Sequence, residues 1–577
     1  MKMSLLFFSG VMLCAIPRTQ PVQTIQEPAV HQIVITEIMA DPNPCVMLPD
    51  AEYIELYNRG SSAVDLKDWQ IELGSHKKML ATARMDPGEY LIVCDGDHES
   101  LLRVFGRTLP VRNMPAVVNT GQTITLKSPN GAVIHTVTFS DGWYQNRQKS
   151  QGGWSIEIID PDNPCGYSEN WSESLDIRGG TPGQKNSTDA SRPDLSLPVL
   201  LRATLPSDSS VLLLFSERMD SSTILSPWLY SADKGLMHPS AVVPVGPDYN
   251  AVLLYYAERF QTSTSYTLTV LNTLKDCAGN TLTPDAVVHF AVSGMPEKDD
   301  IVINEILFNP RTGNSEFIEL YNRSSRALNL ENLAIALADS HSGEIKRTVS
   351  LKKYPYLLFP GNYVVITDHA ISLPENCIRQ YPASIVEING LFALPDEEGF
   401  LVLFNEFSRD IDEVRYAASM HTEFLQDAEG VSLERTDFDK PSGSPQNWHS
   451  ASTASGYSTP CRMNSQAMHE DIPPEEVILS PQVFSPDNDG VDDQMILHIQ
   501  THEPGCSASI LIFDMNGRKI RNLTSRILLG TDEYFTWDGI SDEHEPADPG
   551  IFIFYIEICS PMGKVKKIKK VVTLTRR

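Results

Sequence analysis

The sequence predicts an all-β chain made of several β-sandwiches in series. Two observations predict it. Short runs alternate apolar and polar residues, as in residues 34–39 and 53–57, which is the pattern of strands with one buried face. Turn residues punctuate these runs, Asn58-Arg59-Gly60 and Asn130-Gly131 among them, and no long amphipathic helix separates them. The 577 residues suffice for about four domains, and a hydrophobic content of 41% allows each a core.

A long internal repeat organises the chain. Ile35-Thr36-Glu37-Ile38-Met39-Ala40-Asp41-Pro42 returns as Ile303-Asn304-Glu305-Ile306-Leu307-Phe308-Asn309-Pro310. Glu52-Tyr53-Ile54-Glu55-Leu56-Tyr57-Asn58-Arg59 returns as Glu316-Phe317-Ile318-Glu319-Leu320-Tyr321-Asn322-Arg323, after a shorter loop than in the first copy. Pro87-Gly88-Glu89-Tyr90 matches Pro360-Gly361-Asn362-Tyr363, and Trp154-Ser155-Ile156-Glu157 matches Val431-Ser432-Leu433-Glu434. Asn170-Trp171 matches Asn447-Trp448, and Thr181-Pro182-Gly183 with Asn186-Ser187 matches Thr459-Pro460-Cys461 with Asn464-Ser465. Each copy is therefore a whole domain rather than a short solenoid unit.

On these blocks the chain resembles the lamin-tail domain family, an immunoglobulin-like sandwich. The resemblance implies tandem Ig-like β-sandwiches in an exported bacterial protein, and it brings no family-wide catalytic residues. Between the copies, the strand in residues 211–215 with its polar turn to Asp220, the strand 265–270 and the turn Asp276-Cys277-Ala278-Gly279-Asn280 resemble a bacterial Ig-like module. About 100 residues is the right size for one such sandwich. The last segment, with Phe484-Ser485-Pro486-Asp487-Asn488-Asp489-Gly490, Phe535-Thr536-Trp537-Asp538-Gly539 and a basic, alternating tail at 564–577, resembles the C-terminal Ig-like domains of gliding-motility-associated proteins. That resemblance implies a sorting signal for type IX secretion; an ordinary edge strand guarded by Lys is the alternative for the tail.

The expected organisation is a signal peptide at 1–24, lamin-tail domains at 30–188 and 298–466, the Ig-like module at 192–293, a linker at 468–476 and the C-terminal Ig-like or sorting domain at 477–577. Lys2 followed by the apolar run 3–16 reads as a signal core, too short to span a bilayer. Cys14 invites a lipid anchor, against which the bulky Leu13 argues. No later run is apolar enough for a transmembrane span. The nine cysteines hold no C-x-x-C pair, which disfavours zinc and redox motifs. Cys45 could bridge Cys165; otherwise the thiols read as buried or incidental.

The formal net charge of −28 argues against a nucleic-acid partner, because phosphate binding needs clustered Lys and Arg. It fits a self-repelling surface protein or one that collects cations. One candidate cation site stands out. Ser485, Asp487, Asp489 and Asp493 fall at positions 1, 3, 5 and 9 of a calcium-type loop with Gly490 at position 6, although no acid stands at position 12. The other reading of this loop is an Asp-rich turn. Glu37, Glu52 and Glu55 recur as Glu305, Glu316 and Glu319; paired carboxylates can serve hydrolysis or a surface ion site shared by both copies, but at alternating strand positions they are expected on the solvated face or bonded to a neighbouring turn. Trp69, Trp143, Trp154, Trp171 and Trp448 could form a sugar platform, yet the equivalence of Trp171 and Trp448 favours the core.

No nucleophile elbow, phosphate loop or metal-hydrolase motif appears. The expected function is therefore a non-catalytic, exported cell-surface or secreted module for adhesion, scaffolding or binding, with an unknown surface protein or glycan as partner. The alternatives are an accessory glycan-binding protein, or a component of a secreted hydrolase or nuclease.

Overall fold

The computed structural model describes residues 30–576 except 263, 285, 389, 406, 408–409, 426 and 469–475. The signal peptide and Cys14 lie outside the described residues, as does most of the expected linker. The described residues are nearly all β, with two short α-helices, Glu99–Leu102 and Glu375–Gln380. No described helix is long and apolar enough to cross a membrane. The chain divides into two compact units, residues 1–195 and 196–577.

The first unit is a two-layer sandwich. Its larger sheet has six strands in the order Trp171–Glu173, Ile156–Ile158, Ile33–Met39, Tyr53–Asn58, Tyr90–Asp95 and Thr108–Val111. The facing sheet runs Val133–Ser140, Gly121–Lys127, Gln70–Leu73 and His76–Met79. Ile35, Ile38, Ile54, Leu56, Val93 and Ile156 from one sheet meet Ile71, Ile124, Leu126 and Phe139 from the other, with Trp69 and Trp171 also in this core.

Alternation predicts one buried face for the Ile33–Met39 strand, yet all seven residues are buried. A register shift between Ile35 and Glu37 explains how Ile35 and Ile38, three apart, both face the core. The outer face is buried too. Met39, Tyr53, Ile92 and Cys94 form a second cluster with Leu48 and Leu102, the latter from the Glu99–Leu102 helix.

The second unit contains the other copy with two further sandwiches. The copy repeats the six-stranded order as Trp448–Ser450, Leu433–Arg435, Ile301–Leu307, Phe317–Asn322, Tyr363–Thr367 and Ile385–Glu387, with the same shift between Ile303 and Glu305. Residues 200–291 form a four-stranded sheet facing a three-stranded one around Phe215, Tyr230, Leu268 and Phe290. From Val477 on, a three-stranded and a five-stranded sheet enclose Trp537, Phe484, Phe552 and Phe554. The basic tail forms the strand Val565–Leu574, which pairs along its length with Gly550–Cys559 and on its other side only through Val483–Phe484.

The bridge from Cys45 to Cys165 does not form, because Cys45 is an exposed free thiol. Cys377 and Cys461 are paired within the second copy.

Candidate functional site

The recurring glutamates do not lie on a solvated face. The strand register sets Glu37 opposite both Glu55 and Glu157, so three carboxyls stand side by side across the middle of the sheet. Glu305, Glu319 and Glu434 form the same row in the second copy. Glu37, Glu55, Glu157, Glu305, Glu319 and Glu434 are all buried. Like charges directly opposite are destabilising, and burial penalises each charge further. Burial, aided by Glu157, pushes the Glu37 carboxyl up to about 7. Burial and Glu434 push Glu305 up to about 8. Glu55 and Glu319 rise for the same reasons, with Glu37 and Glu305 as their charged neighbours.

What covers the row is the closing segment of each copy, which runs over the outer face as a strap. Thr181 donates its amide to Glu37 Oε1 at 2.7 Å and its hydroxyl to Glu157 Oε1 at 2.9 Å. The Gly183 amide donates to Glu55 Oε2 at 2.6 Å, and the Ser187 hydroxyl to Glu157 Oε2 at 2.8 Å. Asn186 Nδ2 donates to the carbonyls of Thr36 and Ile158. In the second copy Thr459 serves Glu305 and Glu434, the Cys461 amide serves Glu319 at 2.5 Å, and Ser465 serves Glu434 at 2.8 Å. The strap's Thr-Pro-x residues and Ser187 or Ser465 are thus the donors that satisfy the glutamate row, while its Asn fastens the strap to strand carbonyls.

The two copies solve the fit differently. A Cβ on Gly180 would stand 2.6 Å from the Tyr53 hydroxyl, which itself donates to Glu37 at 2.7 Å. The second copy has Phe317 without that hydroxyl, and Ser458 occupies the position of Gly180. Gly183 adopts φ +81° and a Cβ on it would meet the Gly106 Cα at 2.6 Å. At the equivalent position the second copy has Cys461, held to the Glu375–Gln380 helix through Cys377.

Sequence reasoning missed the groups that serve the bulge. The Ile35 amide donates to His135 Nδ1 at 3.0 Å. Its counterpart, the Ile303 amide, donates to Asp412 Oδ2 at 2.7 Å, and Asp412 pairs with a fully buried Arg435 whose Nε donates to the Ile303 carbonyl. The internal repeat carries no signal here, since His135 and Asp412 are unlike residues doing one job.

Glu52 and Glu316 lie apart from the rows and are half-buried; Glu52 accepts the Val117 amide at 2.8 Å. Trp69, Trp171 and Trp448 are buried, and Trp143 and Trp154 half-buried, so these five form no open platform. The aspartate loop does converge: oxygens of Asp487, Asp489 and Asp493 lie within 4.8 Å of one another. Ser485, by contrast, is buried and its hydroxyl donates to Asp487 at 3.1 Å. Asp493 accepts the amides of Asn488 and Gly490, and Asp489 accepts that of Val491, so the carboxylates also hold the turn. Three carboxylates thus stand close enough to offer oxygens to one cation, and hydroxyl ligation by Ser485 would require its bond to Asp487 to break.

Comparison with known proteins follows the same outline. Residues 26–141 and 295–417 match the Lamin Tail Domain, and residues 191–292 match a bacterial Ig-like domain. Both lamin-tail matches end before the third glutamate and the strap, although the internal repeat continues through them. No curated protein matches the chain. Similar solved structures include the N-terminal part of the bacterial S-layer protein SbsC, at 11% identity and TM-score 0.17 over 38% of this chain and 44% of that one. Dimeric latent PorU from Porphyromonas gingivalis aligns at 12% identity and TM-score 0.15 over 66% of this chain and 32% of that one. A DUF4876 family protein from Bacteroides thetaiotaomicron aligns at 13% identity and TM-score 0.17 over 42% of this chain and 87% of that one. The chain spans less than two thirds of the length of the first two.

Proposed function

We propose, from two lamin-tail segments and one Ig-like segment carried in a single chain, an exported, non-catalytic modular protein of the bacterial surface. The observation that carries the reading is the glutamate rows. The duplicated carboxylates, the best candidates for hydrolytic chemistry, are spent on seating the straps. The Cys377–Cys461 pair is in keeping with an oxidising compartment outside the cytoplasm. The loops of β-sandwiches are where binding residues concentrate.

The segment 477–577 is read as the sorting domain. Deleting it also strips contacts from the second copy, so transfer is the better experiment than deletion. Fused to a periplasmic reporter, 477–577 should carry the reporter to the cell surface, where added protease removes it from intact cells. A reporter that stays protected refutes the sorting role. For the whole chain, protease shaving of intact cells followed by fractionation should remove the protein from the outer-membrane or medium fraction. Recovery in the cytoplasm overturns the reading. A second reading, calcium held by Asp487, Asp489 and Asp493, is favoured by the convergence of their oxygens.

A further inference from the structure

The two lamin-tail copies differ at one surface position in a way that points to a ligand. In each, two tyrosines on neighbouring strands pack ring against ring: Tyr57 stacks on Tyr90 with ring centres 4.5 Å apart, and Tyr321 lies tilted by 39° against Tyr363 at 4.9 Å. In each, a loop is tethered beside them by an ion pair, Arg59 to Asp162 at 3.0 Å and Arg323 to Asp439 at 2.7 Å. The loops read Asp160-Pro161-Asp162 and Asp437-Phe438-Asp439. In the second copy Phe438 lies flat on Tyr321, 4.0 Å between centres and 18° between planes. The first copy has Pro161 there, and a cleft of about 560 Å³ opens beside Tyr57 and Tyr90, a size suited to small ligands.

The walls differ to match. Lys185 and Asp189, paired at 2.7 Å, line the open cleft together with Ser191. The strap of the second copy has Met463 and Ala467 where the first has Lys185 and Asp189. One copy therefore fills its tyrosine platform with its own ring. The other leaves the platform open and surrounds it with hydrogen-bonding groups.

We propose that the Tyr57–Tyr90 cleft is a carbohydrate site that takes a neutral pyranose. A pyranose has a flat C–H face suited to an aromatic ring and a rim of hydroxyls that both donate and accept. The Tyr57–Tyr90 stack supplies the apolar face. Lys185 donates to, and Asp189 accepts from, the ring hydroxyls, with Ser191 able to do either. An aromatic side chain from a peptide would suit apolar walls such as Met463 and Ala467 better than a charged pair it would have to desolvate. The proposal does not depend on where the protein resides.

The test presents the full chain to an array of neutral hexose and N-acetylhexosamine oligosaccharides, with a Phe-containing peptide printed alongside. Retained sugars are then titrated in solution. Retention is expected, and Pro161→Phe, which copies the plug of the second domain, should weaken it at least tenfold without changing the melting temperature. If Pro161→Phe fails to fold, the double variant Lys185→Ala with Asp189→Ala decides, with the same loss expected. A blank array overturns the proposal, as does undiminished binding by the folded variants. Retention of the peptide alone assigns the cleft to aromatic side chains and overturns it equally.

Discussion

The Ser155 hydroxyl donates to Glu37 Oε1 at 2.5 Å, joining strands 118 positions apart in the chain. Ser432 repeats that bond to Glu305 at 2.5 Å. A serine two residues before the third glutamate of each row thus locks the central carboxyl, and the strap completes its shell of donors.

Stability should fall as pH rises through neutrality. The Glu37 and Glu305 carboxyls are raised from 4.5 to about 7 and about 8, so the folded chain holds protons that the unfolded chain has released. The stabilisation is full below about pH 4.5 and is lost as pH climbs through 7 to 8, on the order of 3–5 kcal/mol per copy. Urea midpoints at about pH 5 should exceed those at about pH 8.5, and Glu37→Gln with Glu305→Gln should flatten the difference. A midpoint that rises with pH over that window would falsify the account of carboxyls held protonated by burial.

Arg435 has no exposed side-chain surface and its ion partner is Asp412. Asp412→Ala should destabilise the second copy by about 3–5 kcal/mol, because it strands a buried cation and the Ile303 amide together. Adding Arg435→Met should restore part of that loss in urea unfolding. A loss from Asp412→Ala below about 1 kcal/mol would show that water replaces the carboxylate.

The Cys377–Cys461 pair closes a span of 84 residues between helix and strap. Its removal by Cys377→Ser with Cys461→Ser should cost about 4 kcal/mol by loop entropy. Native-state alkylation read by mass spectrometry should label the exposed Cys45 and spare the buried Cys94. Equal melting temperatures with and without reductant would exclude the stabilising role.

Calcium should raise the melting temperature of the C-terminal unit if Asp487, Asp489 and Asp493 bind it. The shift should vanish in Asp487→Ala with Asp489→Ala. A calorimetric titration with no heat assigns the loop to a turn held by its own Asn488, Gly490 and Val491 amides.

The repeat made the architecture readable, because paired blocks such as those around Glu37 and Glu305 mark where strands begin and which positions matter twice. The environment of those glutamates was not readable from alternation. Period-two patterning assumes one wet face, whereas here a bulge shifts the phase and a strap from the far end of the domain dries the outer side. The conserved spacing of Thr181-Pro182-Gly183 and Asn186-Ser187 with Thr459-Pro460-Cys461 and Asn464-Ser465 was the available clue: polar residues repeating as a set need acceptors that repeat as well. His135 and Asp412 left no such trace. The Tyr57 cleft was hidden for the opposite reason, since what defines it is Pro161, a difference within an otherwise matching loop.

The strap of the second copy has a neighbour on its other side. The Ser465 hydroxyl donates to Glu434 and its carbonyl accepts the Thr531 amide at 2.8 Å, while Gln466 donates its backbone amide to Glu434 and its side-chain amide to the Leu529 carbonyl. The C-terminal sandwich is thereby fastened to the very segment that closes the domain before it. A pull on the C-terminal sandwich would be borne in part by these bonds, together with those of Ser452 to Glu533 and Thr453 to Leu528. The same contacts tie the strap to both domains, so loosening the C-terminal sandwich also removes partners from the segment that covers the glutamate row.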